Sequence, residues 1–223
     1  MTLKWKFYPR KRRLLILACL SAMIALVTST IFSPVATAKL FDGPVDKLPT
    51  LERVSLREGK VTLLGKEGNY TCRILVKSSM DAAWQVLTDY NHFAQFLPGV
   101  ASSELIESNG DRRIFEQINK IKTLVFSIKS RIRIASIESY PQTITFKAIE
   151  GDLKTLNGKW TLEPVSDYPS APPDKVLITH QVRVKPAKTT SDSLFYGIYE
   201  DRLEETLAAI KQETEKRFIQ AQN

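Results

Sequence analysis

Residues 81–100 read DAAWQVLTDYNHFAQFLPGV, and this stretch decides how the rest of the chain is understood. It gathers Trp84, Tyr90, Phe93, Phe96, Leu97 and Pro98 with little charge between them. Two readings are open: a core helix with an aromatic tail, or one wall of a pocket for an apolar molecule. Ser78 is placed to cap a helix, and Asp81, three residues on, supplies an acid in the first turn. The pattern therefore predicts helix from Met80 to Thr88 and a further helical turn over NHFAQFL, before Pro98-Gly99 breaks the chain.

Working upstream, YTCRILVK alternates, with Cys72, Ile74 and Val76 on one face and Arg73 and Lys77 on the other, the period of a half-buried strand. RVSLREGKVTLLG, before it, also reads as strand. Downstream, a meander of strands is expected over ASSELIES, RRIFEQIN, TLVFSIKSRIRIASIES, QTITFKAIE, LNGKWTLEPV and KVLITHQVRVK, separated by turn-forming sequences such as NGD, YP and SDYPSAPPD. From Leu194 to Gln222 the period becomes helical. Ile198, Tyr199, Leu203, Thr206, Leu207, Ile210 and Phe218 form a stripe opposite Glu204, Glu205, Lys211 and Lys216. The expected architecture is α+β: a highly curved antiparallel sheet wrapped around a long C-terminal helix, with short helices after the first strands.

The N-terminus has a different character. Six of the 32 basic residues and none of the 24 acids lie in residues 1–38, so the rest of the chain carries only +2 of the +8 net charge. Basic residues ending at Arg13, the apolar run LLILACLSAMIALV and the small-residue close SPVATA make a tripartite leader. Cleavage after Ala38 is expected; the same run, Leu14 to Phe32, is also long enough to stay as a membrane anchor. In both cases the domain lies on the far side of the membrane from the cytoplasm, in a periplasmic or other lumenal compartment. Residues 39–52 read as a linker and 53–222 as one domain. Cys72, the single cysteine outside the leader, is expected to be a small buried residue.

A capping serine, AAWQVLTDYNHFAQFLPGV, a strand meander and a long terminal helix together resemble the START-like, helix-grip (SRPBCC) superfamily. The residues that carry the resemblance are Trp84, Leu87, Asp89, Tyr90, Phe93, Phe96, Leu97 and Pro98. It is strongest toward the coenzyme-Q-binding START-domain and polyketide cyclase/dehydrase-like branch, and it spans about residues 50–220. It implies a hydrophobic cavity between sheet and terminal helix that takes a lipid or an isoprenoid quinone. The fold hosts carriers, sensors and enzymes alike.

Strand alternation sorts the faces that such a cavity would use. Leu124, Phe126, Ile128, Ser130, Ile132 and Ile134 share one face, as do Ile144, Phe146, Ala148 and Glu150, then Trp160 and Leu162, and finally Val176, Ile178, His180, Val182 and Val184. Periodicity does not distinguish a hollow interior from a packed one. Ser130, Glu150 and His180 interrupt this apolar face, and Glu150, beside the Gly151-Asp152 turn, is expected at solvent. His180 either hydrogen-bonds a ligand oxygen, acts as acid or base, or sits in the core bonded to protein.

Phe93, Phe96 and Leu97 fall where the family has its cavity entrance. Phe126, Phe146 and Tyr199 are candidate walls, and Arg202, on the terminal helix, is placed to meet a carboxylate or to pair with Glu205 or Asp201. Trp84 is expected to anchor the first helix against the sheet. A basic stripe, Lys120, Lys122, Lys129, Arg131 and Arg133, offers contact with an anionic membrane surface. The chain carries no Gly-x-Ser-x-Gly, phosphate loop or His-Glu-x-x-His, and its two histidines show no zinc-site spacing, so no cofactor or metal is expected. Nucleic acid is a poor partner for a domain so close to neutral. A carrier of a hydrophobic small molecule is the leading expectation. The alternatives are a cyclase- or dehydratase-like enzyme using His180 with Glu116 or Glu150, and an interaction module with a packed interior.

Overall fold

The computed structural model describes residues 42–122, 127–187 and 191–223. The leader, with its cleavage or anchor site, lies outside the described residues, as do Leu124 and Phe126. The elements run α1 (Thr50–Arg57), β1 (Thr62–Lys66), β2 (Asn69–Val76), α2 (Met80–Leu87), α3 (Phe93–Phe96), β3 (Val100–Asn109), β4 (Arg112–Lys122), β5 (Ser127–Ser139), β6 (Thr143–Gly151), β7 (Leu153–Val165), β8 (Lys175–Pro186) and α4 (Asp192–Gln220). All eight strands form one antiparallel sheet in the order β1-β2-β8-β7-β6-β5-β4-β3. The helices α2 and α3 carry the chain from β2 to β3 at the opposite edge. The sheet is curved and unclosed, and its ladder is broken by register shifts in β3–β4, β5–β6 and β7–β8, the irregularities that bend and twist a sheet.

Each face of β2 buries something different. Tyr70, Cys72, Ile74 and Val76 point toward α4, where Leu203, Leu207 and Ile210 complete the main core with Val176, Ile178 and Leu162. Leu203, Leu207 and Ile210 recur at helical spacing, so α4 presents one apolar stripe to the sheet. Burial pushes the Cys72 thiol up to about 12, which keeps it protonated and inert at neutral pH. On the other face, Leu75, Leu177 and Val165 are covered by Val45, Leu48 and Leu56 of the N-terminal arm and α1. Buried Glu52 of α1 is held there by Arg73, to which it is ion-paired, and by Thr62.

Two local expectations are corrected. The segment RVSLR belongs to helix α1, not to a strand; of that run only Thr62 to Gly65 pairs into the sheet, within strand Thr62–Lys66. Val54 and Leu56 alternate as a strand would, but Pro49 precedes the helix and Gly59, with φ 77°, follows its C-cap, the usual punctuation of a helix. The cap of α2 is Ser79 instead of Ser78: its Oγ accepts the Ala82 N–H at 3.2 Å, while Ser78 is buried. Asp81 accepts a hydrogen bond from the Tyr140 hydroxyl at 2.7 Å, and Trp84 packs edge-on against the Tyr140 ring, so α2 is anchored to the sheet as expected.

Leu207 is fully buried where α4 meets β2. Leu207→Ala should destabilise the protein by about 2–5 kcal/mol, the range for emptying a packed leucine site, read as a lower midpoint in guanidinium unfolding.

Candidate functional site

Helix α4 packs closely against β1, β2 and α2, and stands off the strands from β4 to β7. The gap is a cavity of about 980 Å³, open at one side. The interior is therefore hollow, which sequence periodicity left undecided. Its walls are Leu87, Tyr90, Phe93 and Leu97 from the stretch around α2 and α3, Phe115, Ile132, Ile134, Ile144, Phe146, Leu156 and Trp160 from the sheet, and Phe195, Ile198, Tyr199 and Leu203 from α4.

His180 lies on the β8 wall and is only 5% exposed. Trp160 sits directly opposite it on β7, with ring centroids 3.7 Å apart and planes 25° apart, and Phe146 stacks at 5.5 Å. Its Nδ1 is buried with no hydrogen-bond partner. With no charge nearby to favour imidazolium, desolvation pushes the His180 pKa down to about 3. The ring is therefore neutral at pH 7. It has one donor and one acceptor to offer a ligand, and it is too weak a base for proton abstraction at neutral pH. A second aromatic stack runs along α4, where Tyr199 lies 5.9 Å from Phe195 and 6.0 Å from Tyr70.

The opposite wall is the stretch that opened the sequence. Tyr90 stacks on Phe115 at 4.6 Å, and Phe93 meets Tyr90, Phe96 and Phe115 edge-on. The Tyr90 hydroxyl donates to Glu138 Oε1 at 2.8 Å and lies 3.1 Å from Ser136 Oγ, while Glu138 pairs with Arg113. Burial pushes the Tyr90 phenol up, so it stays protonated. From outside, Arg217 of α4 clamps the same stretch, bonding Asp89 at 2.8 Å and Glu213 at 2.7 Å with its guanidinium 5.5 Å from the Phe96 ring. The stretch is both things at once: a core helix, followed by a cavity wall.

Of the residues picked out from sequence, His180, Phe93, Leu97, Ser130, Phe146, Tyr199 and Arg202 all line this one cavity. Phe96 does not; it backs the wall under Arg217. Phe126 lies outside the described residues. Glu150 is at solvent, as expected beside its turn; only the alternation that put it on the inward face is corrected. The register shift between Arg133 and Ile134 slips β6 against β5, so that Glu150 comes opposite Arg133. There Glu150 and Glu116 are ion-paired to both Arg131 and Arg133 at 2.6–3.0 Å. The hydrogen bonds from Arg131 hold both carboxyls below the usual carboxylate range. The basic stripe is accordingly neutralised at Arg131 and Arg133, and neither glutamate reaches the cavity as an acid–base partner for His180. Sequence reasoning missed Trp160, Tyr90, Gln117 and Asn119 as lining residues. Trp160 was already on the inward face, but its place on His180 depends on a register that sequence does not give. Among the described residues no three His, Cys, Asp or Glu side chains converge as a metal site.

Residues 76–211 match the family described as polyketide cyclase / dehydrase and lipid transport. The chain belongs to that family. No curated protein matches it in sequence. Among solved structures, this family member is similar in fold to a STAR-related lipid transfer protein from Xanthomonas axonopodis, at 21% identity and a TM-score of 0.55 over 69% of this chain and 92% of the other. It is also similar to the Zhui aromatase/cyclase from Streptomyces sp. R1128, at 12% identity and 0.55 over 73% and 96%. A third is a Thermus thermophilus protein, at 14% identity and 0.56 over 69% and 98%.

The folded His180 pKa lies below the value near 6.5 expected for the unfolded chain. Between these values the unfolded chain takes up a proton that the native protein refuses, so stability falls as pH drops from about 6.5 toward 3, by at most about 1.4 kcal/mol per pH unit. Imidazole ¹⁵N spectra should show His180 neutral at pH 5, and His180→Phe should flatten the pH dependence of the unfolding free energy in that window. A native His180 titrating near 6.5 would contradict the burial argument.

Proposed function

We propose that the protein is a carrier that holds a hydrophobic small molecule, a lipid or an isoprenoid quinone, between the sheet and α4 without transforming it. The observation that carries this reading is the hollow interior: about 980 Å³ walled mainly by aliphatic and aromatic side chains. Burying a ligand there gains ~25 cal/mol per Å² of apolar surface removed from water, before the costs of association. The neutral His180, its Nδ1 unpartnered, supplies an orienting hydrogen bond for an oxygen at the deep end. Carriage is favoured over cyclisation or dehydration because the glutamates that would complete an acid–base set are ion-paired on the outer face. The family's description names both cyclase/dehydrase and lipid transport, so it accommodates either activity, and the choice rests on the placement of these glutamates. The basic and apolar leader supports action beyond the cytoplasmic membrane. Lys120 and Lys129, the two described members of the basic stripe with no acidic partner among the described residues, favour loading at an anionic bilayer.

Leu156 lies on β7 at the cavity wall. Leu156→Trp should fill the space and weaken uptake of a fluorescent lipid or quinone analogue by tenfold or more (about 1.4 kcal/mol per decade) while the protein still unfolds cooperatively. The full chain should also speed transfer of that analogue between vesicles and leave it chemically unchanged. Transfer unaffected by the filled cavity, or a converted product, would overturn the carrier reading.

A further inference from the structure

The cavity is not uniformly apolar. Several of its polar groups lie together on the inward face of the β4–β5 pair, at the end beside Gly99 and Arg202, where apolar residues would be expected. Gln117 and Asn119 of β4 and Ser130 of β5 all line the cavity; Asn119 is directly opposite Ser130, and Gln117 Nε2 donates to Asn119 Oδ1 at 2.7 Å. That bond uses the Asn119 oxygen and leaves its amide N–H groups, with the Ser130 hydroxyl, free of partners among the described residues and able to donate into the cavity.

Arg202 of α4 is at the same end. A Cβ added to Gly99 would lie 3.9 Å from Arg202 Nη1 and 3.8 Å from the Lys120 carbonyl oxygen, so the guanidinium sits beside the part of β4 that carries Asn119. Arg202 uses Nη1 on Glu205, an exposed i,i+3 partner that holds it weakly, and no other bond is made by its guanidinium among the described residues. Lys120 and Lys129, which alternate with Asn119 and Ser130, pair with each other on the outer face of β4–β5 with the rest of the basic stripe. Two acids are also near: Asp152 lines the mouth but is engaged with the Arg131 backbone N–H at 2.8 Å, and Glu205 is the partner of Arg202. Both carboxylates are engaged, and Arg202 keeps a free guanidinium edge on the cavity side of this end.

We infer that the mouth is an oxyanion subsite, in which Arg202, Asn119 and Ser130 hold the carboxylate or phosphate head of a single-headed amphiphile whose tail runs toward Trp160 and His180. The inference rests on the carrier reading and selects within it: the cargo is an anionic lipid and not a neutral quinone. A guanidinium binds such a head through two of its N–H groups at once, which the free edge of Arg202 permits.

The test is tryptophan quenching of the full chain by 16-doxylstearate and by its methyl ester, which differ only in head charge. The acid should bind about tenfold tighter than the ester (about 1.4 kcal/mol). Arg202→Met should erase that preference, and Glu205→Gln, which releases Arg202, should widen it. Competition by lysophosphatidate against palmitate then separates a phosphate head from a carboxylate. Equal binding of acid and ester, or a preference that survives Arg202→Met and is unmoved by Glu205→Gln, overturns the subsite and leaves the carrier reading standing. Binding of neither probe overturns both.

Discussion

The separation of α4 from the middle of the sheet is the constraint on which everything else depends. At one end the helix is committed: Leu203, Leu207 and Ile210 pack directly on the residues of β2 and β8 that face them. Farther along the sheet, the strands curve away and the helix does not follow. Two features keep the gap from closing. The covered outer face, where α1 and the N-terminal arm pack over Leu75, Leu177 and Val165, stiffens the β2–β8 end as a base. On the far side, the wall from Tyr90 to Leu97 stands between helix and sheet, held inside by Glu138 and Ser136 and outside by Arg217. Interiors normally close to the density of organic crystals, so a void of this size persists only where such walls support it or a ligand fills it.

Burial also sets the chemistry. The same apolar surroundings that make the cavity attractive to a greasy molecule strip His180 of its charge, since an imidazolium at that depth would lack both water and a counter-ion. What remains is an orienting group with aromatic neighbours on both sides. A neutral histidine, protonated tyrosines and a protonated thiol form an interior that binds and does not titrate near neutral pH. Charge is confined to the mouth, where water can share it.

Much of this was legible in the sequence, for reasons that differ by element. The strands and α4 were visible because half-buried elements must alternate at their own period, and β2 and the stripe from Ile198 to Ile210 do so cleanly. Seven of the nine candidate lining residues meet in one cavity: strand alternation fixed the face of Ser130, Phe146 and His180, while Tyr199 and Arg202 came from the terminal helix and Phe93 and Leu97 from the aromatic stretch that carries the family resemblance. Where the reading failed, the cause was a local departure from period. One extra residue at the β5–β6 register shift broke the alternation that aligned Glu150 with Phe146, although its place at solvent was read from the turn, and a two-residue alternation made α1 look like a strand despite Pro49 and Gly59. Register itself was out of reach, so the stack of Trp160 on His180 was too. Hollowness was likewise illegible: the same inward residues would suit a packed core.

The central claim is that the space between the sheet and α4 exists to hold a hydrophobic molecule. It is tested most directly by mass spectrometry of the organic extract from the protein expressed with its leader and purified gently after export in a native-like host. The account predicts one amphiphilic species, near one equivalent per chain, that is lost from the Leu156→Trp variant. A stable, folded protein that yields no such species, from a host rich in membrane lipids and quinones, would contradict it.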